Sequence, residues 1–280
     1  MTKQEFKQRC VELRNKNFTL GEIVSTLNRP KTTIFFHIRD IPKNKFLKNK
    51  ISAINSKQAK LNIARGLTPQ KGQSALGRKY KDFKKWSAST VNLVAHAMFD
   101  GEIRYGGVIY HNRSRVLIDN FKSKMKTVYN FNPIYMMNGD VARISYNNVE
   151  LGHFFKLKKE ELLQNILGWP LELKLAFLRA FFDDEGSVDF RNKIRRVRGY
   201  QHNDAILYLV MKLLKNFSIE SKIDTEFHEI TIGRRENIKK FAQEINFSKG
   251  LRVNGKRSNS IWKKDLEKRK ILANLLASYQ

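Results

Sequence analysis

Phe177-Leu-Arg-Ala-Phe-Phe-Asp-Asp-Glu-Gly-Ser187 places three carboxylates at the end of a helix that stability alone would not put there. Leu171, Leu175, Leu178 and Phe182 recur at helical spacing, and Leu173, Phe177, Ala180 and Phe181 cover the next face, so the pattern predicts a buried helix. Pro170 at its entrance and Gly186 after its last turn mark its two ends. Asp183, Asp184 and Glu185 then stand at the negative end of the helix dipole, where each exposed anion costs about 0.3–1 kcal/mol. Burial raises that cost. A divalent cation held by oxygen ligands would offset both the carboxylates and the unpaired carbonyls of the last turn.

The chain repeats this arrangement. In Leu93-Val-Ala-His-Ala-Met-Phe-Asp-Gly101, Leu93 matches Leu178, Ala95 matches Ala180, Asp100 matches Glu185 and Gly101 matches Gly186, an offset of 178 − 93 = 85 residues. Tyr110-His111-Asn112 and Tyr200-Gln201-His202-Asn203 each close an expected hairpin and precede an apolar helix, so the chain carries an internal duplication. In the first copy, strands 102–105 and 108–111 flank Gly106-Gly107, a helix runs from Ser114 to Val128, and strands 134–137 and 141–146 meet across Asn138-Gly139. A helix over 151–166 closes it. The second copy reads as helix 171–185, strands 187–191 and 194–201, helix 204–217, strands 222–226 and 229–233, and helix 236–245. A basic loop over 247–258 and a last helix over 261–279 follow.

The two nonapeptides resemble the paired motifs of the LAGLIDADG homing endonucleases, and the resemblance runs from about Ser89 to the C-terminus. The second motif is the better match, with Asp184 where a small residue is expected; in the first, His96 and Met98 replace an aliphatic residue and an acid, and Phe99 is large for a close helix contact. In that family the eighth-position acids meet beneath a packed helix pair and bind the catalytic metal. The resemblance therefore assigns Asp100 and Glu185 as catalytic metal ligands, with Gly101 and Gly186 beside them, and Mg²⁺ as cofactor with Mn²⁺ as a substitute. It also implies a monomer with internal pseudo-twofold symmetry, cleavage of both DNA strands, and mobility of an intron or intein. A charge-stabilising lysine is expected at Lys156 or Lys158 in the first repeat and Lys249 or Lys256 in the second, with Lys156 and Lys249 the leading candidates.

Composition agrees with a polyanionic partner. Lys and Arg outnumber Asp and Glu by 54 to 26 in 280 residues, a formal charge of +28, and the basic residues run the length of the chain. Double-stranded DNA is favoured over a membrane, because no segment approaches the ~18 apolar residues that span a bilayer. The N-terminus, Met1-Thr-Lys-Gln-Glu5, offers no apolar stretch for a secretory signal, so an intracellular protein is expected. Cys10 is the single cysteine, which excludes intramolecular disulfides and cysteine-cluster zinc sites. In the first hairpin of the second repeat, Arg191, Lys193, Arg195, Arg196 and Arg198 are candidate DNA contacts, as is Arg104 in the first, although strand alternation sends only some of them to one face.

Residues 1–42 read as a small helical domain. Phe6, Cys10, Val11 and Leu13 mark a first helix, Thr19-Leu-Gly-Glu22 is a capping box opening a second, and Lys31 to Ile38 starts a third after the Asn28-Arg29-Pro30 turn. The ten-residue spacing of Val24 and Ile34 resembles helix-turn-helix modules, which places Lys31, Thr32, Thr33, Phe35 and His37 on or near the groove-facing side. Residues 43–88 hold thirteen Lys or Arg from Lys43 to Lys85 and one acid, Asp82, and read as a basic linker or arm with a short helix over 61–66.

The fold class is thus α/β (α+β): a small all-α helix-turn-helix domain, 1–42, a linker, 43–88, and two αββαββα repeats, 89–168 and 169–280. The function expected is a metal-dependent, site-specific DNA endonuclease. Two other readings stand beside it, a DNA-binding regulator that keeps the fold without cutting and a splicing maturase whose partner is intron RNA. The acids separate the first from the second.

Overall fold

The computed structural model describes residues 2–64, 78–191, 194–253 and 266–279. The chain divides into two compact units, Met1–Ser74 and Ala75–Gln280. In the first, α1 (Lys3–Asn15), α2 (Leu20–Leu27) and α3 (Lys31–Ile38) enclose Cys10, Leu13, Ile23, Ile34 and Ile38. Thr19 and Glu22 form the expected capping box, and Asn28 ends α2 in the left-handed conformation (φ 47°), turning the chain toward Pro30 and α3. The residue of α2 that is fully buried is Ile23, with Val24 only packed against that core.

The stretch expected as a linker is structured differently. Lys45–Ala64 forms one helix, α4. No glycine or proline interrupts residues 43–65, the lysines, alanines and leucines there are good helix formers, and Asn44 Oδ1 accepts from Leu47 N at 2.8 Å to start the helix. Residues 78–87 belong to the second unit: Trp86 donates to Glu161 at 2.6 Å, and Tyr80 packs on Phe154 with ring centroids 4.7 Å apart.

The second unit repeats one layout twice. Its first half runs α5 (Ala88–Met98), β1 (Gly101–Arg104), β2 (Gly107–Asn112), α6 (Arg115–Val128), β3 (Ile134–Asn138), β4 (Val141–Asn147) and α7 (Val149–Asn165). Its second half runs α8 (Leu171–Glu185), β5 (Gly186–Arg191), β6 (Ile194–Tyr200), α9 (Asp204–Lys215), β7 (Lys222–Asp224), β8 (Glu229–Ile232) and α10 (Arg235–Lys240), which continues through a turn of π-helix to Ile245. The sheets have the same antiparallel order, β1-β2-β4-β3 and β5-β6-β8-β7. A last helix, α11, spans Lys268–Ala277, and the part of the expected helix before residue 266 lies outside the described residues. Both tight turns of the first half sit one residue from the expected positions. Arg104 pairs with Gly107 across Tyr105-Gly106, and Asn138 pairs with Val141 across Gly139-Asp140, with Gly139 taking the positive φ (59°) at the first turn position.

Helices α5 and α8 pack together at the centre, flanked by the inner faces of both sheets. Ala95 and Ala180 are fully buried, as the motif requires of a close helix pair. Phe99 finds its room edge-on to Phe177 and Phe181, with centroids 5.5 and 5.3 Å away.

One close approach decides how α7 meets the first hairpin. A Cβ on Gly152 would lie 2.3 Å from the Arg104 carbonyl oxygen, so that helix can reach the turn only through a glycine. Gly152→Ala should therefore lower stability by about 1–3 kcal/mol, against the helix-propensity gain of about 1 kcal/mol that alanine normally brings. Gly21→Ala, whose Cβ meets nothing within 4 Å, should hold or raise it. Urea unfolding of the two variants reads the opposite signs.

Candidate functional site

The C-terminal ends of α5 and α8 deliver Asp100 and Glu185 to the start of β1 and β5. Each carboxylate accepts a hydrogen bond from a neutral amide. Asn112 Nδ2 donates to Asp100 Oδ2 at 2.6 Å, and Gln201 Nε2 donates to Glu185 Oε1 at 3.4 Å. Each amide is itself held from behind, since its carbonyl oxygen accepts from a backbone N–H two residues on: Ser114 N at 2.7 Å and Asn203 N at 3.3 Å. Ser114 and Asn203 are the N-caps of α6 and α9, so the same device recurs in both repeats. Neither amide was among the expected site residues. The signal lay in the strand register, which pairs Gly101 with Tyr110 and Gly186 with Gly199 and so makes Asn112 the counterpart of Gln201.

Burial dominates the electrostatics. It pushes Asp100 up to about 8, with the charges of Asp184 and Glu185 adding to the effect, and Glu185 up to about 7, with Asp184 adding. Folding thus favours the protonated forms of both. The stability they contribute is fully present below their ordinary carboxylate range and is lost as pH rises through 7 to 8.

The two places where the motifs depart from pattern meet each other. His96 Nδ1 lies 2.7 Å from Asp184 Oδ2, with the two side chains 4% and 0% exposed. Tyr110, stacked on Phe121, donates its hydroxyl to Asp184 Oδ1 at 2.8 Å and lies 3.4 Å from Asn112 Nδ2. A continuous polar network therefore runs from Asp100 through Asn112 and Tyr110 to Asp184 and His96. The second repeat has Gly199 where the first has Tyr110, and a Cβ there would meet the Phe181 ring at 2.5 Å. The network is built on one side of the helix pair only.

The chain places a cation of its own at the end of α8. Lys268, at the first turn of α11, donates to the carbonyl oxygens of Asp183 at 2.9 Å and Gly186 at 2.7 Å. Burial lowers its pKa, while Asp183, Asp184, Asp100 and Glu185 oppose that shift. Asp183 is raised by burial and anchored by Ser248 N at 2.7 Å and Ser248 Oγ at 2.5 Å. The carbonyl of Gly186, expected beside the metal, is thus occupied by an ammonium, and Gly101 lies in β1 paired with Tyr110. Among the described residues, no group of three or more His, Cys, Asp or Glu is arranged to hold a metal ion. Lys156 and Lys249 are both exposed, and Lys249 follows Ser248, which holds Asp183. Lys158 lies over the rings of Phe83, Trp86 and Phe154, and Lys256 falls outside the described residues.

The arginines of β5 and β6 divide as alternation requires. Arg196 pairs in register with Asp189 and Arg198 with Ser187 on the outer face, whereas Arg195 pairs with Phe190 on the other. Asp189 holds both Arg191, at 3.2 Å, and Arg196, at 3.0 Å, while Arg198 reaches Ser187 and Glu229. Arg195 is instead tied to Ser278 at the end of α11 and lies over Tyr279. Arg104 is exposed and bonded to Glu102, and Lys193 lies outside the described residues. In the N-terminal unit, Lys31, Thr32 and Thr33 are exposed on the first turn of α3, and His37 is half-buried with its ring edge-on to Phe6.

The LAGLIDADG-like domain family matches residues 172–246, which span the acidic end of α8, both hairpins of the second repeat and α10. This segment is similar to a LAGLIDADG-like domain. The topology it imposes recurs in the first repeat, where the LAGLIDADG motif is degenerate at His96 and Met98. Solved structures with a partly similar backbone include I-DmoI in complex with DNA and Mn, 18% identical, covering 56% of this chain and 96% of that one at a TM-score of 0.43. Mesophilic variants of the homing endonuclease I-DmoI are 16% identical, with 56% and 90% coverage and a TM-score of 0.42. Full-length DUF199/WhiA from Thermatoga maritima is 15% identical, with 71% and 63% coverage and a TM-score of 0.47. No curated protein matches the chain. No helix among the described residues is long and apolar enough to cross a membrane.

The His96–Asp184 pair makes a sharp stability prediction. His96→Leu should destabilise by about 3–5 kcal/mol, because it strands a buried carboxylate on one tyrosine hydroxyl. Adding Asp184→Ala, the small residue the motif expects, should recover much of that loss. A double variant no more stable than His96→Leu alone would show that the pair is not coupled.

Proposed function

We propose that this chain is a site-specific, metal-dependent endonuclease of double-stranded DNA, with Asp100 and Glu185 as the catalytic acids and Mg²⁺, or Mn²⁺ in its place, as cofactor. The observation that carries the reading is the matched pair of buried carboxylates, each raised in pKa and each met by a neutral amide rather than by a cation at hydrogen-bonding distance. Once deprotonated, such hard oxygen donors fit a divalent cation. Such a cation activates water and stabilises the departing oxygen at a phosphodiester. Asn112 and Gln201 orient the two carboxylates, and their anchorage on the N-caps of α6 and α9 fixes their direction before DNA arrives. Arg191, Arg196 and Arg198, held in place by Asp189 and Glu229, would meet phosphates or guanine edges from the outer sheet face. Lys31, Thr32 and Thr33 would add contacts from the helix-turn-helix segment, and the pseudo-twofold unit would act as a monomer.

One observation favours a second reading, a DNA-binding regulator that does not cut. Lys268 and His96 already answer part of the acidic surplus from within the chain. Cleavage of a randomised duplex library, with Mg²⁺ or Mn²⁺ present, separates the two. Asp100→Asn and Glu185→Gln keep shape and hydrogen bonding but remove charge, so DNA binding should survive while cleavage falls by at least ~10³, since each such contribution amounts to several kcal/mol and 1.36 kcal/mol is tenfold in rate. Neutral variants that cut at the wild-type rate would end the nuclease reading.

The raised carboxylates also set a pH dependence. A cation must displace the protons that Asp100, at about 8, and Glu185, at about 7, hold near neutrality. Calorimetry in buffers of different ionisation enthalpy should detect proton release on Mg²⁺ binding at pH 6.5 and an affinity that climbs toward pH 8.5. Asp100→Asn should flatten that rise; an affinity independent of pH in the wild-type protein would place the cation elsewhere.

A further inference from the structure

We propose that the N-terminal helical unit contains a binding site for a small amphipathic anion, an apolar body bearing a carboxylate or phosphate. A cavity of about 470 Å³ opens in this unit, lined by parts of α2, α3 and α4, a volume within the roughly 300–1,000 Å³ typical of small-ligand sites. Its apolar wall includes Leu20, Val24, Ile38 and Ile51, and two further lining side chains, Phe35 and Ile54, are 52% and 47% exposed. An apolar occupant would cover both.

The polar lining has one sign. Arg14, Lys31, Arg39 and Lys43 line the cavity, and no Asp or Glu does. Glu22, the acid close by in sequence, is engaged by Lys50 at 2.9 Å and caps Thr19. Arg39 has Asp40 at 3.4 Å, an exposed and weak pair, whereas Arg14 has no carboxylate partner among the described residues. Arg14 is the anchoring observation. It is 5% exposed, one of its guanidinium nitrogens donates to Phe18 O at 2.9 Å, and its Nε has no hydrogen-bond partner. A buried guanidinium with an open donor is costly unless an acceptor meets it, and an anionic headgroup in the cavity supplies that acceptor. The site uses neither Asp100 nor Glu185 and shares only Lys31 with the proposed DNA contacts, so the loss of cleavage in Asp100→Asn and the loss of anion binding in Gly21→Phe are read separately.

The test uses the full-length protein and calorimetric titration with dodecanoate and with dodecyl phosphate, each below its micellar concentration. Dodecyltrimethylammonium serves as a tail of the same length with the opposite charge. Because the protein is strongly basic, the decisive variant must leave its charge untouched. Gly21 lines the cavity and a Cβ there meets nothing within 4 Å, so Gly21→Phe fills the space while keeping the charge and the backbone. The expected result is saturable one-to-one binding of at least one of the two anions, none of the cation, and a loss of at least tenfold in Gly21→Phe and in Arg14→Met, with the helical circular dichroism of Gly21→Phe unchanged. Preference between dodecanoate and dodecyl phosphate identifies the headgroup. Failure of both anions to bind saturably, equal binding of the cationic tail, or undiminished binding to Gly21→Phe overturns the proposal.

Discussion

Four carboxylates, Asp100, Asp183, Asp184 and Glu185, gather at the buried ends of two packed helices, and the surrounding structure is organised by the need to hold them there. Water screens them only in part and the helix dipole opposes them. The chain answers in three ways: a lysine on the helix-end carbonyls, a histidine and tyrosine on Asp184, and a serine on Asp183. Among the described residues, Asp100 and Glu185 accept hydrogen bonds from amides, and burial raises both carboxyls to about 8 and about 7.

The duplication explains why two such carboxylates exist, and divergence explains why they are not equivalent. Both repeats end their first helix at an acid, both steady it with an amide, and both lock that amide onto the N-cap of the next helix. Only the first repeat has room for a tyrosine beside the helix pair, because Gly199 leaves the matching space in the second to Phe181. The substitution of histidine in one motif and aspartate in the other is one change seen from two sides. Together they form a buried pair, with Nδ1 and Oδ2 2.7 Å apart.

The basic surface follows a similar economy. Arg191 and Arg196 share one carboxylate, Asp189, which is itself 5% exposed beneath them, and Arg198 is steered by Ser187 and Glu229. Such pairing contributes little to stability at a surface but limits the directions a guanidinium can take. Arg195, one residue from Arg196 in sequence, serves the fold instead by fastening the end of α11.

The elements other than α4, the duplication and the two acids at the helix ends were legible in the sequence, because helical and strand periodicity, capping boxes and turn residues act within a few positions. Helix α4 was missed for a local reason: a dense run of lysines masks an uninterrupted helix former, and composition weighed more than the absence of any glycine or proline. The two hairpin turns were displaced by a single residue, since register follows from strand pairing rather than from the turn dipeptide alone. What the tertiary structure decided is which groups meet. Asp184 finds His96 across 88 residues of chain and Asp183 finds Lys268 across 85, distances over which no periodicity carries information. The sequence by itself determined that anions would collect at the ends of two buried helices; only the docking of one repeat on the other, and of α11 on the second, determined which side chains meet them, because those contacts join residues far apart in the chain.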